Sequence, residues 1–353
     1  MTKTIVDRNI IFIYNDIRNF CTGNNRMSSE SNRRIRELEI KNRILRMVVA
    51  ALIIIMIAGA FILNSKKEKP AQVNILDSVY YDICFDAEDD IKEKIDENYL
   101  RYLNMAYVLI GDYPDCEYYK ISANVARNDY NWEKDFYVDE GKLYYNYYKD
   151  GKASGKVAVD VSEFQRDIDW EKVKNAGVKV AIVRVGFRGY GESGTIVADD
   201  MAETNIKGAK AAGLETPVYF FSSAINREEG VEEAQFVINK IKGFKLKQPV
   251  IIDTEYVFDS ENARANNISV KDRTDAVVGF CETVEAAGYT PMIYASRDQF
   301  IKYLDIDRIG KWEFWLAAYD PPVFPYHTEG YQYSPYGYVD GIETQVDLNV
   351  WMR

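Results

Sequence analysis

The chain has 353 residues, a hydrophobic fraction of 47% and a formal net charge of −11. It is long enough for two or three domains and too apolar for wholesale disorder. A single histidine, His327, removes most nucleophilic schemes built on a histidine base. The four cysteines, Cys21, Cys84, Cys116 and Cys281, lack metal-type spacing. No metal or cofactor is therefore expected, and acid–base work falls to carboxylates. The 27 tyrosines and 5 tryptophans have two readings, aromatic core or flat platforms for sugar faces.

Residues 1–46 form a basic segment, with ten Lys or Arg against five acids. Within it, Met27 opens a compact leader, so residues 1–26 are a candidate upstream extension. The run MVVAALIIIMIAGAFIL, residues 47–63, carries no charge. As a helix it spans roughly 25 Å, enough for a bilayer core with help from its flanks. No small-x-small cleavage site follows in FILNSKKEKP, which favours an uncleaved anchor over a signal peptide. Beyond the run, 34 basic residues face 50 acidic ones. The positive-inside rule then places the N-terminus in the cytoplasm and the remainder outside a cell membrane. The acidic exterior argues against nucleic-acid partners.

Residues 64–154 read as a small α+β spacer. DAEDDIKEKIDENYLRYLNMAYVLI has apolar residues near helical spacing. DFYVDEGKLYYNYYKDGKASG reads as a hairpin, with turn signals at Asp139-Glu140-Gly141 and Asp150-Gly151. Cys84 and Cys116 both fall here; spacing alone does not decide whether they pair.

From residue 155 the pattern changes to alternating strands and helices. VAVDV, VKVAIVRVGF, TPVYFFSS, QPVIIDTE and TPMIYAS read as apolar strands. Between them, Asp169, Asn226 and Ser269 are helix caps, and Gly177, Gly213, Gly243 and Gly288 are stops. Such repeats imply parallel strands joined by right-handed crossovers. WEFWLAAY, EGYQYS and GIETQVDLNVW follow too closely for full helices between them. The predicted fold is α/β: an irregular (β/α) barrel over residues 155–353.

Chemistry in such barrels gathers where strands end. Here the strands end on Asp160, on Tyr219 and its neighbours, on Asp253-Thr254-Glu255, on Tyr294, on Trp315 to Tyr319, and on Asp347. Singly each is weak, since a D-x-E or a VDLN turn arises readily by chance. Jointly they mark one rim.

DVSEFQRDIDW resembles the opening signature of glycoside hydrolase family 25 lysozymes, in which a D-x-S-x-x-Q run leads into an I-D-W helix start. PVYFF, the D-x-E strand, PMIYAS, WLAAY and QYS…G…VDLN resemble further family blocks in order, covering residues 157–353. The resemblance implies a barrel of about eight strands and five helices. The activity it implies is hydrolysis of the β-1,4 bond from N-acetylmuramic acid to N-acetylglucosamine in peptidoglycan. It makes Glu255 the general acid, with Asp253, Asp160 and Asp347 as supporting carboxylates. Tyr219, Tyr294, Trp315 and Gln332 match positions lining the sugar cleft, and Tyr319, closing the sixth strand, joins them. Relatives often carry glycine after the Gln of the first motif, where this chain has Arg166, a bulky cation expected near the rim.

The residue types suit that chemistry. A glycosidic oxygen leaves only when protonated, while other carboxylates stabilise the cationic sugar. Residues 253 and 255 lie two apart on a strand, on the same side and roughly 7 Å apart. Like charges so close favour keeping one protonated near neutral pH. Two alternatives stay open: a catalytically silent wall-binding scaffold, and a hydrolase of another N-acetylated polysaccharide.

Overall fold

In a computed structural model the described residues are 106–110, 117–138, 144–258, 260–319 and 324–353. The basic segment 1–46, the apolar run 47–63, the first part of the spacer, and Cys84 and Cys116 lie outside them. Among the described residues no helix is long and apolar enough to cross a membrane.

Five short strands precede the barrel: β1 (Tyr107–Ile110), β2 (Glu117–Lys120), β3 (Phe136–Tyr137), β4 (Asn146–Lys149) and β5 (Lys152–Ala153). The helix expected to run through YVLI is not found there. Those four residues form β1, antiparallel to β2, with Val108 and Ile110 buried. Tyr, Val, Leu and Ile in succession suit a half-buried strand, and the pairing with Glu117–Lys120 overrides the helical spacing upstream. The β4–β5 turn is the expected Asp150-Gly151, with φ of +52° and +72°, the left-handed pair that a tight hairpin requires. An aromatic seam joins these strands to the barrel. Phe136 stacks on Trp132 and packs near Tyr147, while Tyr331 of the barrel meets both Trp132 and Phe136. The Tyr130 hydroxyl accepts the Thr328 N–H at 3.0 Å. His327 lies half-buried at this seam beside Glu329, 3.2 Å away.

The barrel strands are β6 (Lys156–Val161), β7 (Val180–Arg188), β9 (Val218–Ser222), β10 (Val250–Thr254), β11 (Pro291–Ser296), β12 (Glu313–Ala317), β13 (Gly330–Gly337) and β14 (Val346–Trp351). The short β8 (Ile196–Ala198) hangs on β7. Neighbours from β6 through β13 run parallel, β13–β14 and β14–β6 run antiparallel, and the β6–β7 pairing closes the circle. Eight strands thus close a barrel.

Helices cover its outside. The principal ones are α1 (Trp170–Asn175), α2 (Ala202–Ala212), α3 (Arg227–Ile241) and α4 (Val270–Ala286), with the shorter α5 (Arg297–Lys302) and α6 (Ile306–Ile309) after them. Asp169, Asn226 and Ser269 cap α1, α3 and α4 through their side chains as expected. Gly213 ends α2 at φ +84°, a left-handed turn that residues with a Cβ resist.

The two-residue period of a strand sorts the barrel interior into levels. Ala158, Ile182, Ile251, Met292 and Trp351 pack as an apolar inner cluster. Two residues along the same strands come Asp160, Arg184, Asp253 and Tyr294, while Asp347 and Asn349 precede Trp351 on its own face. One end of the interior is therefore greasy and the other polar.

Candidate active site

Strand register brings the polar level together. Asp347 is paired with Asp160, Asp253 with Tyr294, Tyr294 with Trp315, Ala317 with Gln332, and Gln332 with Asn349. The result is a chamber of about 350 Å³ into which Asp160, Asp253, Glu255 and Asp347 all face. Tyr219, Tyr294, Trp315 and Gln332 line the same chamber, and Tyr319 lines the space on the other side of Glu255.

Gln332 lines the chamber and also ties its other groups together. It is 2% exposed and its amide is used up by protein partners. Its Oε1 accepts the hydroxyls of Tyr294 at 2.8 Å and Tyr319 at 3.0 Å. Its Nε2 donates to Asp160 Oδ2 at 3.0 Å and reaches Asp347 Oδ2 at 3.5 Å. Asn349 works in parallel: Nδ2 donates to Asp160 Oδ2 at 2.7 Å while Oδ1 accepts the Trp315 indole N–H at 2.8 Å. Trp315, 1% exposed, is a floor and a positioning group.

Burial pushes the Asp160 carboxyl up, opposed by Asn349, Gln332 and Asp347. Two amide donors on one oxygen favour its ionised form. Asp347 is pushed up to about 9 by burial, by the Asp160 charge and by its hydrogen bond to Asp160. Of the two, Asp160 has the stronger support for a negative charge, with two amide donors on Oδ2. Glu255 is raised to about 7 by burial and by Asp160, with the Tyr294 hydroxyl opposing. Asp253 is raised further by burial and by Glu255 and Asp160, and among the described residues its Oδ1 has no hydrogen-bond partner.

The cation of the chamber is Arg184, which sequence reasoning passed over. Its Nε donates to the buried Asp199 at 2.8 Å, Glu163 lies 3.3 Å from Nη2, and the Phe164 ring packs beneath the guanidinium. It opposes the upward push on Asp253. The available signal was an arginine inside the apolar run VAIVRVGF, in the register that faces the interior. Arg166, by contrast, is not among the residues lining the chamber. It sits at φ +53°, ψ −134°, a backbone region that suits glycine.

The first motif folds as a local lock. Ser162 and Gln165 form a capping box, Gln165 Nε2 donates to the Gln345 carbonyl at 3.1 Å, and the Glu163 N–H reaches Asp199 at 3.0 Å. Asp160 is thus held from the chain side as well. The loop after Glu255 is clamped by Asn266, whose Oδ1 and Nδ2 both bond the Val257 backbone at 2.9 Å. Among the described residues no cluster of acids, histidines or cysteines could hold a metal ion.

Residues 159–342 match the family model of Glycosyl hydrolases family 25. The chain belongs to that family. Its curated relatives include the autolytic lysozyme of Clostridium acetobutylicum, 25% identical over 54% of this chain and 54% of that one. Among solved structures, the modular autolysin LytC from Streptococcus pneumoniae is similar at 25% identity and TM-score 0.53, over 70% of this chain and 58% of that one. LytC in complex with a synthetic peptidoglycan ligand is similar at 26% identity and TM-score 0.51, over 69% and 56% of the two chains. This chain therefore spans little more than half the length of these relatives. The family 25 match covers Asp160, Asp253 and Glu255 and stops short of Asp347.

Proposed function

We propose that this chain hydrolyses peptidoglycan at the β-1,4 bond between N-acetylmuramic acid and N-acetylglucosamine, acting from the outer face of a membrane in which residues 47–63 anchor it. The observation that carries this reading is a chamber where four carboxylates converge and one of them, Glu255 at its edge, is held near a pKa of 7. A general acid works best when its pKa lies near the ambient pH.

In this reading Glu255 protonates the glycosidic oxygen. Asp160, kept ionised by Asn349 and Gln332, stabilises the cationic sugar and is backed by the proton-bearing Asp347. Asp253 offers its unpartnered Oδ1 to an N–H donor of the substrate, which suits the N-acetyl group of the reacting sugar. Arg184 limits the build-up of negative charge. The relationship to an autolytic lysozyme and to an autolysin crystallised with a peptidoglycan ligand supports the choice of substrate. The uncharged run at residues 47–63 and the basic residues before it support the anchored topology.

The test is loss of turbidity of purified peptidoglycan on adding the full chain, with mass spectrometry of the products. Reducing-end muramic acid is expected. Products ending in another sugar would sink the bond assignment, and an unaltered rate for Glu255→Gln would sink the acid assignment.

A further inference from the structure

Glu255 borders two chambers. One holds the carboxylates; the other, about 970 Å³, is walled by Tyr256, Phe258, Arg297, Gln299, Tyr303 and Tyr319, among others. A proton donor must reach the bridging oxygen, so the bond to be cut lies at Glu255. The sugar that becomes cationic then sits over the carboxylates, and the departing half of the chain enters the larger chamber. This placement rests on the hydrolase reading above.

The walls indicate what that departing half carries. Phe258 is 87% exposed and Tyr319 56%, open ring faces of the kind that pack on sugar rings. The polar wall carries the donors Arg297 and Gln299 together with the acid Asp298. Arg297 has Asp298 Oδ1 at 3.3 Å from both Nε and Nη2, a long contact, and Asp298 also pairs with Lys302 at 3.2 Å. The one acid beside Arg297 is thus divided between two cations. Gln299 is 2% exposed, and its Nε2 has no hydrogen-bond partner among the described residues. An unsatisfied buried donor costs about 1–3 kcal/mol, a cost relieved when a ligand brings an acceptor. Sugar hydroxyls both donate and accept. Arg297 and Gln299 both line this chamber, and a group that only accepts suits both donors.

We infer that the larger chamber binds the leaving half of a glycan whose substituent carries a carboxylate, with Arg297 reading that carboxylate and Gln299 an adjacent acyl oxygen. A neutral sugar chain offers these donors only uncharged oxygens, which bond a guanidinium more weakly than a carboxylate does. The chamber thus selects acid-bearing strands through KM.

The experiment uses the full chain in detergent and two substrates: soluble uncrosslinked peptidoglycan strands, and the same strands with their carboxyls converted to methylamides. For the unaltered protein, KM rises about tenfold on the neutralised strands, the usual order for one charge-assisted hydrogen bond. Arg297→Met raises KM on native strands by a similar factor and brings the native-to-neutralised ratio below about two. Arg297→Lys, which keeps the charge, restores part of the ratio and excludes a folding defect. If Arg297→Met keeps the ratio of the unaltered protein, the inference is wrong and the chamber takes neutral glycan. If the unaltered protein cleaves neither substrate, the hydrolase reading fails and takes this inference with it.

Discussion

Glu255→Gln should inactivate the protein and stabilise it, and the stabilisation should depend on pH. The carboxyl rises from 4.5 to about 7 on folding. At ~1.4 kcal/mol per factor of ten this is ~3 kcal/mol of folding free energy lost once the group is ionised. Because the folded value lies above the unfolded one, the loss is absent below pH ~4.5, grows as pH rises and is complete above pH ~7. Glu255 as a residue is only partly buried, which trims the figure to ~2 kcal/mol. A folded unit of this size gains ~2–4 °C per kcal/mol, so the variant should melt ~4–8 °C higher at pH 8 and within ~1 °C of the parent at pH 4. Turnover of peptidoglycan should fall by ~10²–10⁴. Melting curves at the two pH values, beside a rate measurement, decide the matter. An equal gain at both pH values would mean that the neutral amide simply packs better, and the raised carboxyl would play no part.

Arg166→Gly should raise stability by ~1 kcal/mol with unaltered kinetics, because the backbone there already has the left-handed φ of +53°; denaturant unfolding would show it, and a loss of stability would contradict it. Gln332→Leu removes an amide donor from Asp160 and should lower kcat ~10–100-fold. With less support for its anion, Asp160 titrates higher, so the acidic limb of the pH–rate profile moves up, whereas a mere packing defect would leave that limb in place. Phe136→Ala should cost ~3 kcal/mol in one cooperative urea transition, since Phe136 is buried against both the preceding strands and Tyr331; a separate early transition would show that the seam does not couple them.

Much of the barrel was legible because its signals are local. Helix caps at Asp169, Asn226 and Ser269 and stops at Gly213 and Gly288 are written in single residues. The close spacing of the last three strands already excluded helices between them. The carboxylates were legible as strand-end residues, yet their division of labour was not. That Asp160 has the stronger support for a negative charge follows from Gln332 and Asn349 donating to one oxygen, and those partners come from strands 172 and 189 residues away. Gln332 was assigned to the sugar cleft by its match to a family 25 position. Only the register of β13 against β14 shows its amide committed to protein groups. Arg184 was missed because one charge inside an apolar run reads as noise until strand pairing aims it at the chamber. The YVLI segment went wrong because helical spacing upstream was extended across residues that instead pair antiparallel with Glu117–Lys120.

The polarity gradient inside the barrel links stability to chemistry. Gathering Asp160, Asp253, Glu255 and Asp347 in one buried chamber opposes folding, since burial alone pushes every one of them upward. The opposing contribution comes from the level beneath, where Ile182, Ile251, Met292, Trp315 and Trp351 are fully buried. The two levels meet at Trp315. Its ring lies against Tyr294 and Trp351, while its N–H holds Asn349 Oδ1 and so turns Asn349 Nδ2 toward Asp160. Packing of the apolar level thereby fixes the direction of a hydrogen bond to the Asp160 carboxyl. A residue that merely filled the same volume would preserve the core and lose the aim, which is why an indole stands at that boundary.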